Sequence, residues 1–329
     1  MKYNRMGKSG IKVSSLCMGT MTFGSGADAA ESAKIYKAAR NKGINFFDCA
    51  NLYAGGKSEE ILGSLIKSHR EEVVISSKAY YPVDSYAGNS SEIYGRGLNR
   101  TNVTREVEDS LKRLGTDYID VYYMHHFDDA CTLEESLSVY NDLVHQGKIN
   151  YIGLSNFAAW QYMKAVGITR QHNYAPIACI QPMYNLLKRQ CESEILPMAK
   201  SEGLGVFSYS PLGGGILTGK YLNKDADNTA SRMNTMAMYK ERYKDDRNAE
   251  IARAFNDYAV SKSLNPISLA IAWVSAHETI TAPIIGGRSL EQLKPSLDAA
   301  DIELTEDIRQ EIAALSYAPV SATDRSEEG

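Results

Sequence analysis

Four side chains that together can move a proton stand at comparable places in this chain. Phe46-Phe47 runs into Asp48, Val73-Val74-Ile75 leads to Lys78, Ile119–Met124 leads to His125, and Tyr53 follows Asp48 by five residues. A tyrosine hydroxyl has a free pKa of about 10 and is a poor acid at neutral pH. A nearby ammonium favours the tyrosinate and lowers that value. Asp48 would keep Lys78 charged by pairing with it, and an imidazole at His125 would hydrogen-bond a carbonyl oxygen or relay a proton. Such a group presents a proton donor to an oxyanion as a hydride arrives on carbon. Alone, Asp48 with Lys78 reads as a rim ion pair, His125 as a structural histidine, and Tyr53 as one of 21 tyrosines. The inference rests on the joint placement.

Other polar residues end apolar runs in the same way. Ile152-Gly153-Leu154 precedes Ser155-Asn156, Ile180 precedes Gln181, and Val206-Phe207 precedes Ser208-Tyr209-Ser210. Elements that bring six such ends together must alternate strand with helix. After a hairpin of Lys2–Arg5 and Ile11–Ser14, turned by Gly7 to Gly10, the sequence offers eight strands. They are Leu16–Gly19, Asn45–Ala50, Val73–Lys78, Tyr118–His125, Asn150–Ser155, Cys179–Tyr184, Gly205–Ser210 and Ala282–Gly286. Helical stripes lie between them, such as Val103, Val107, Leu111 and Leu114, or Leu133, Leu137, Tyr140 and Val144. Thr132 with Glu135 and Ser289 with Gln292 read as capping boxes, and Gly43, Gly115, Gly147 and Gly203 stand where helices should stop. Repeated β-then-α order implies parallel strands and right-handed crossovers. An open doubly wound sheet usually carries a GxGxxG turn after its first strand. Gly19 to Gly24 lacks that spacing, so the expected architecture is a closed (β/α)8 TIM barrel over residues 1–329, with an N-terminal hairpin. The long stretches Tyr80–Arg100 and Gly213–Asp246 follow strands and would overhang the C-terminal face, where barrel active sites are built.

Composition agrees with an ordinary globular chain: 329 residues, 43% hydrophobic, 23% charged, net charge −4. That charge gives no reason to expect nucleic acid or an acidic membrane as partner. No apolar stretch approaches the roughly 18 residues of a membrane span, and no signal-peptide core is present. Five cysteines without a CxxC pair suggest neither a disulfide framework nor a zinc cluster, so a reduced, cytoplasmic setting is expected. His125-His126-Phe127-Asp128-Asp129 could be read as metal ligands, but neighbouring residues on a strand face opposite ways. Nothing marks an oligomeric state, and a homo-oligomer is compatible with the sequence.

As an ordered set, the motifs resemble the aldo-keto reductase superfamily over nearly the whole chain. They are Met18 to Gly24, Asp48-Cys-Ala-Asn-Leu-Tyr53, Ser76-Ser-Lys78, Tyr122-Tyr-Met-His125, Gly153-Leu-Ser-Asn156, Gln181-Pro-Met-Tyr-Asn185, Tyr209 to Lys220, and Ile285-Gly-Gly-Arg288. The resemblance implies an NADPH-dependent carbonyl reductase with Tyr53 as proton donor, tuned by Asp48 and Lys78, and His125 orienting the carbonyl. It places Ser155, Asn156 and Gln181 on the nicotinamide carboxamide and Tyr209 against the ring. Ser210, Pro211, Leu212, Gly213, Gly214 and Lys220 would lie along the pyrophosphate. Thr20, Met21, Asp48, Gly286, Arg288 and Gln292 complete the cofactor contacts. Arg288, before a helix starting at Ser289, is expected to meet a 2′-phosphate, which favours NADPH over NADH. The chain departs from the family at Pro295 and Ser296, where Glu-Asn commonly contacts adenine. Phe23, Tyr80, Tyr81 and Tyr86, backed by Asn89 and Arg96, are the expected substrate pocket, suited to an aromatic or polyhydroxy carbonyl. Gly95 to Arg100 also resembles the branch holding potassium-channel β subunits, which implies a second reading as a cofactor-binding redox sensor. That branch typically has asparagine where this chain has His125, and Cys49 would be the oxidisable group of such a sensor.

Overall fold

A short antiparallel hairpin, β1 (Tyr3–Arg5) with β2 (Lys12–Ser14), begins the chain. Parallel strands follow: β3 (Cys17–Gly19), β4 (Phe46–Asp48), β5 (Val74–Ala79), β6 (Ile119–Met124), β7 (Ile149–Ser155), β8 (Ile177–Gln181), β9 (Gly205–Ser208) and β10 (Ala282–Ile285). They close into one barrel in chain order, with β10 pairing back onto β3. The coordinates, a computed structural model, describe residues 1–83, 95–222 and 232–323.

Helices return the chain between strands: α1 (Ala29–Asn41), α2 (Lys57–Ile66), α3 (Arg100–Leu114), α4 (Leu133–His145), α5 (Ala159–Gln171) and α6 (Ile195–Glu202). Between β9 and β10 lie α7 (Arg232–Thr235), α8 (Ala237–Arg242), α9 (Arg247–Ser261) and α10 (Pro266–Ser275), and α11 (Leu290–Asp298) and α12 (Glu306–Ala313) follow β10. This is the (β/α)8 barrel with an N-terminal hairpin that the alternation implies. The Gly213–Asp246 stretch is not irregular throughout. It contains a 3-10 turn (Gly213–Thr218), α7 and α8, because Met233, Met236, Tyr239 and Tyr243 pack around Ile216 and Ala252.

Strand parity sorts the side chains into two cores. Phe46, Val74, Val121, Tyr123, Cys179 and Phe207 fill the barrel interior, while Phe47, Ile75, Tyr122, Ile180 and Val206 face the helices. Each large apolar side chain so buried contributes roughly 1.5–3 kcal/mol. Gly153 exists for the interior: a Cβ there would sit 2.4 Å from the Tyr123 ring. The hairpin closes the N-terminal end, with the Lys8 N–H on Gly203 O at 3.0 Å and Asn4 Nδ2 on Thr281 O at 2.8 Å, both just ahead of barrel strands. Met6 and Val13 add to the interior core from below.

Several strands stop earlier than the apolar runs suggest. β4 ends at Asp48, β8 at Gln181 and β9 at Ser208. Pro182 offers no N–H to a ladder, and beyond these points the chain splays outward to form the mouth. Both capping boxes close by half. Thr132 Oγ1 accepts from Glu135 N, but the Glu135 carboxylate takes the Arg100 N–H at 3.0 Å. Ser289 Oγ accepts from Gln292 N, but Gln292 Oε1 takes the Arg288 N–H at 3.1 Å.

Behind the barrel wall, Ser77 Oγ and Arg113 Nε bind the fully buried Glu59 carboxylate at 2.5 and 2.6 Å, tying α2 and α3 to β5. Removing the cation leaves a carboxylate without its counter-charge in the interior. Arg113→Met is expected to destabilise the fold by about 3–5 kcal/mol, measured as the loss of unfolding free energy in urea.

Candidate functional site

The inward parity that places Phe46, Val74 and Val121 in the interior also carries Asp48, Lys78 and His125 to the mouth. Lys78 is fully buried, and its ammonium donates to Asp48 Oδ2 at 2.8 Å and to Cys49 O at 2.6 Å. Its third direction points at Tyr53 OH, 3.4 Å away, longer than an ordinary hydrogen bond. Asp48 Oδ1 accepts from Ser76 Oγ at 2.7 Å and from Gln181 Nε2 at 2.8 Å. Since β4 and β8 lie four strands apart in an eight-strand ring, the Asp48–Gln181 bond crosses the mouth.

Tyr53 opens a tight turn, Tyr53–Gly56, in which Ala54, Gly55 and Gly56 all have positive φ. The turn is anchored by the buried Asn51, which accepts from Leu52 N and donates to Glu106 Oε2 and to Tyr81 O. The His125 and Tyr53 rings meet edge-on with centroids 6.4 Å apart. Burial first, then the Lys78 charge and His126, push the His125 imidazole well below its usual pKa, so the ring is neutral. Its Nδ1 is buried without a hydrogen-bond partner among the described residues. The four side chains expected to act together are therefore adjacent.

The expected cofactor residues follow round the rim. Ser155 Oγ donates to Gln181 O at 2.9 Å, Asn156 Nδ2 donates to His125 O at 2.8 Å, and Tyr209 OH donates to Asn156 Oδ1 at 2.7 Å. Burial raises the Tyr209 phenol to about 12, partly offset by the Arg242 guanidinium. Ser210 has φ 59°, and its carbonyl accepts from Asn185 Nδ2 at 2.9 Å. Pro211 is buried and Leu212 half-buried beside the turn in which Gly213, Gly214 and Gly215 are all left-handed. A Cβ on Gly214 would lie 3.1 Å from the Tyr239 ring, and one on Gly215 3.0 Å from Lys220 Nζ. The Gly213 and Gly215 N–H groups are given to Ser210 O and Leu212 O at 2.9 Å, so the glycines serve close backbone approach to a ligand, and a flat ring lies beside a cluster of amides. The residues present fit a nicotinamide dinucleotide.

Some placements differ from expectation. Phe23 is fully buried in the core against the helices, its backbone held on Thr20 O, so it lines no accessible wall. Thr20 is also buried, its hydroxyl spent on Asp48 O at 3.0 Å, while Met21 is half-buried at the end of β3. Tyr80 and Tyr81 do reach the mouth: Tyr81 lies 5.3 Å from the His125 ring, Tyr80 5.3 Å from His126, and the Arg96 guanidinium stands over both. Tyr86 and Asn89 lie outside the described residues. Gly286 is exposed, and Arg288 packs its stem against Gly26, where a Cβ would sit 3.0 Å from Arg288 Cγ. The α11 terminus is not open to an added anion, because Glu31 Oε1 already accepts the Leu290 N–H at 2.7 Å. Asp128 serves the backbone, accepting from Leu98 N and Ala130 N. Cys49 is fully buried and its thiol is raised to about 12 by burial, which makes it a packing residue and not a reactive thiolate.

Three supporting residues escape a sequence reading: Asn51, Asn185 and Arg242. Asn51 and Asn185 fall inside the motif runs, but nothing in their type shows that they tie loops together. Arg242, over the Tyr239 ring at 5.2 Å, comes from α8, which carries no motif.

Comparison with known proteins agrees with this geometry. The sequence model of the aldo/keto reductase family matches residues 15–316. The chain is 36% identical over 316 residues to the uncharacterized oxidoreductase YrpG of Bacillus subtilis, covering 94% of each. It is 34% identical over 322 residues to a probable voltage-gated potassium channel subunit beta of Arabidopsis thaliana, covering 92% of each. It is also 34% identical over 335 residues to a putative aryl-alcohol dehydrogenase of Schizosaccharomyces pombe, covering 93% of each. The chain belongs to the aldo/keto reductase family, oxidoreductases that generally use nicotinamide cofactors. No described helix is long and apolar enough to cross a membrane.

A neutral, half-buried His125 couples folding to pH. The folded chain refuses a proton that the unfolded chain accepts below about pH 6.5, so the unfolded state binds more protons and stability falls as pH drops. The loss begins near the unfolded value and continues, at up to about 1.4 kcal/mol per pH unit, down to the depressed folded value. His125→Gln should flatten the dependence of unfolding free energy on pH by up to one proton as pH falls from ~7 to ~5, read from urea titrations at several pH values.

Proposed function

We propose that this protein is an NADP(H)-dependent oxidoreductase that reduces aldehydes or ketones to alcohols, or runs the reverse reaction. The observation that carries the reading is the buried ammonium of Lys78, bound to Asp48 on one side and aimed at Tyr53 OH on the other. When bound, the nicotinamide supplies the hydride. Tyr53 gives the proton to the carbonyl oxygen in reduction and takes it back in oxidation. The adjacent ammonium favours the phenolate left behind and so makes proton release easier. Asp48 keeps that ammonium charged and fixed. Neutral His125 offers a donor to the carbonyl oxygen without adding a second positive charge beside Lys78.

Ser155, Asn156 and Gln181 would hold the carboxamide, and Tyr209 would set which ring face meets the substrate. The Ser210 to Gly214 turn and Lys220 would receive the pyrophosphate. Met21 and Gly286 would border the groove, with Arg288 and Gln292 at its adenosine end. Arg288 supports NADPH over NADH, since a guanidinium pairs with a phosphate and gains little from a hydroxyl. The Tyr80–Tyr81 wall, with Arg96 over it, suits an aromatic or polyhydroxy carbonyl, and the aryl-alcohol dehydrogenase relative is in keeping with the first. The channel-subunit relatives favour a second reading, a nicotinamide-binding redox sensor with little turnover. A histidine at 125 and a complete Asp48–Tyr53–Lys78 cluster weigh towards turnover.

The test is NADPH oxidation followed by absorbance against aromatic aldehydes and aldoses, in both directions, repeated with NADH. Turnover is expected with NADPH. Tyr53→Phe should lower kcat by roughly 10²–10⁴ while the Kd for NADPH stays within about twofold. Unchanged turnover in that variant would refute Tyr53 as proton donor. Cofactor binding without single-turnover hydride transfer to any carbonyl would favour the sensor.

A further inference from the structure

The loop before α1 and the turn between β10 and α11 are fastened into one unit. Thr22 Oγ1 donates to Gly287 O at 2.7 Å, Gly26 backs the Arg288 stem, and the Leu290 N–H reaches Glu31 Oε1 at 2.7 Å. The other Glu31 oxygen pairs with Lys34 at 2.9 Å, and Glu31 is only 24% exposed. The backbone bond first, then Lys34, hold the Glu31 carboxyl below its usual pKa, so it is charged at neutral pH. The α11 terminus, which would favour an added anion, is therefore already complemented by one belonging to the protein.

Arg288 precedes Leu290 by two residues, a backbone span of at most about 7 Å, so the Glu31 charge stands beside the base of the Arg288 side chain, and its field, which reaches roughly 8 Å at physiological ionic strength, bears on an anion held there. A 2′-phosphate meets repulsion there and a 2′-hydroxyl does not. The attraction of Arg288 for the phosphate is opposed by that repulsion, and the exposed Glu291 and Lys294 of α11 carry opposite charges. Pro295 has no carboxylate and gives its carbonyl to Ser268 Oγ at 2.7 Å, Ser296 is 1% exposed, and Gln292 Oε1 is occupied by Arg288 N.

We infer that Glu31, moderated by its counter-ion Lys34, is a specificity-determining residue that opposes the 2′-phosphate at Arg288 and holds the preference for NADPH over NADH low. The inference rests on the reading of Arg288 as the contact of the adenosine phosphate.

The experiment is equilibrium binding of NADPH and of NADH, each by quenching of protein fluorescence, at low and high salt. It needs no turnover. Glu31→Gln keeps an amide oxygen for the Leu290 N–H and removes the charge. It should tighten NADPH by roughly three- to tenfold and leave NADH unchanged. Lys34→Met should move NADPH in the opposite direction, and both effects should shrink at high salt. Glu303→Gln, which removes a charge paired with Lys2 on the hairpin, should change neither. Equal shifts for both dinucleotides would mean that Glu31 acts only as a cap, and would overturn the inference. So would no shift at all in Glu31→Gln while Arg288→Met selectively weakens NADPH; that result leaves the Arg288 reading standing. An unchanged NADPH-to-NADH ratio in Arg288→Met removes the premise and overturns both.

Discussion

A lysine ammonium with no solvent exposure is expensive to hold charged, and the architecture of the mouth follows from how this chain does it. Lys78 is satisfied by Asp48 and by the Cys49 carbonyl. Asp48 would otherwise be free to swing, but Ser76 and Gln181 fix its second oxygen. The Gln181 contact reaches across the ring from β8 to β4, so the spacing of opposite barrel walls is part of the site. An ion pair of this kind is strongly destabilising to break from one side, because the remaining charge stays buried. The direction left to the ammonium is the one that faces Tyr53.

Backbone strain gathers at the same rim. Tyr80, Asn156 and Ser210, which follow β5, β7 and β9, all have positive φ, as does Ala54 beside Tyr53. Residues other than glycine pay of order 1–3 kcal/mol for such conformations. Local bonds offset it: Asn156 is gripped by His125 O, Ser155 Oγ and Tyr209 OH, and the Ser210 carbonyl by Asn185. The strained positions turn polar groups inward just where the strands release the chain.

The relatives match this chain over more than nine-tenths of their length while their names differ, from oxidoreductase to channel subunit. Fold alone does not choose among such roles. On the proposed reading the discrimination lies in particular side chains: an imidazole kept neutral at 125, a wall of Tyr80 and Tyr81, and opposite charges at Arg288 and Glu31 around one turn.

Much of this was legible in the sequence, because strand parity is local. Every second residue along Phe46–Asp48, Val74–Lys78, Val121–His125 and Cys179–Gln181 points inward, so an apolar run ending in a polar residue already states which side chain reaches the mouth. Helix stops at Gly115 and Gly203 were equally readable, since both adopt the left-handed conformation at a helix end. Tertiary structure alone decided the pairings over long separations. Phe23 looks like a pocket residue until helices bury it, and Ser289 looks like an open helix start until Glu31, 259 positions away, accepts the Leu290 N–H. Thr20 looks free to meet a ligand until Asp48 O claims its hydroxyl. The period of a strand or helix is written in neighbouring residues, whereas the partner of a hydrogen-bonding group depends on which distant surface the closed barrel brings within 3 Å.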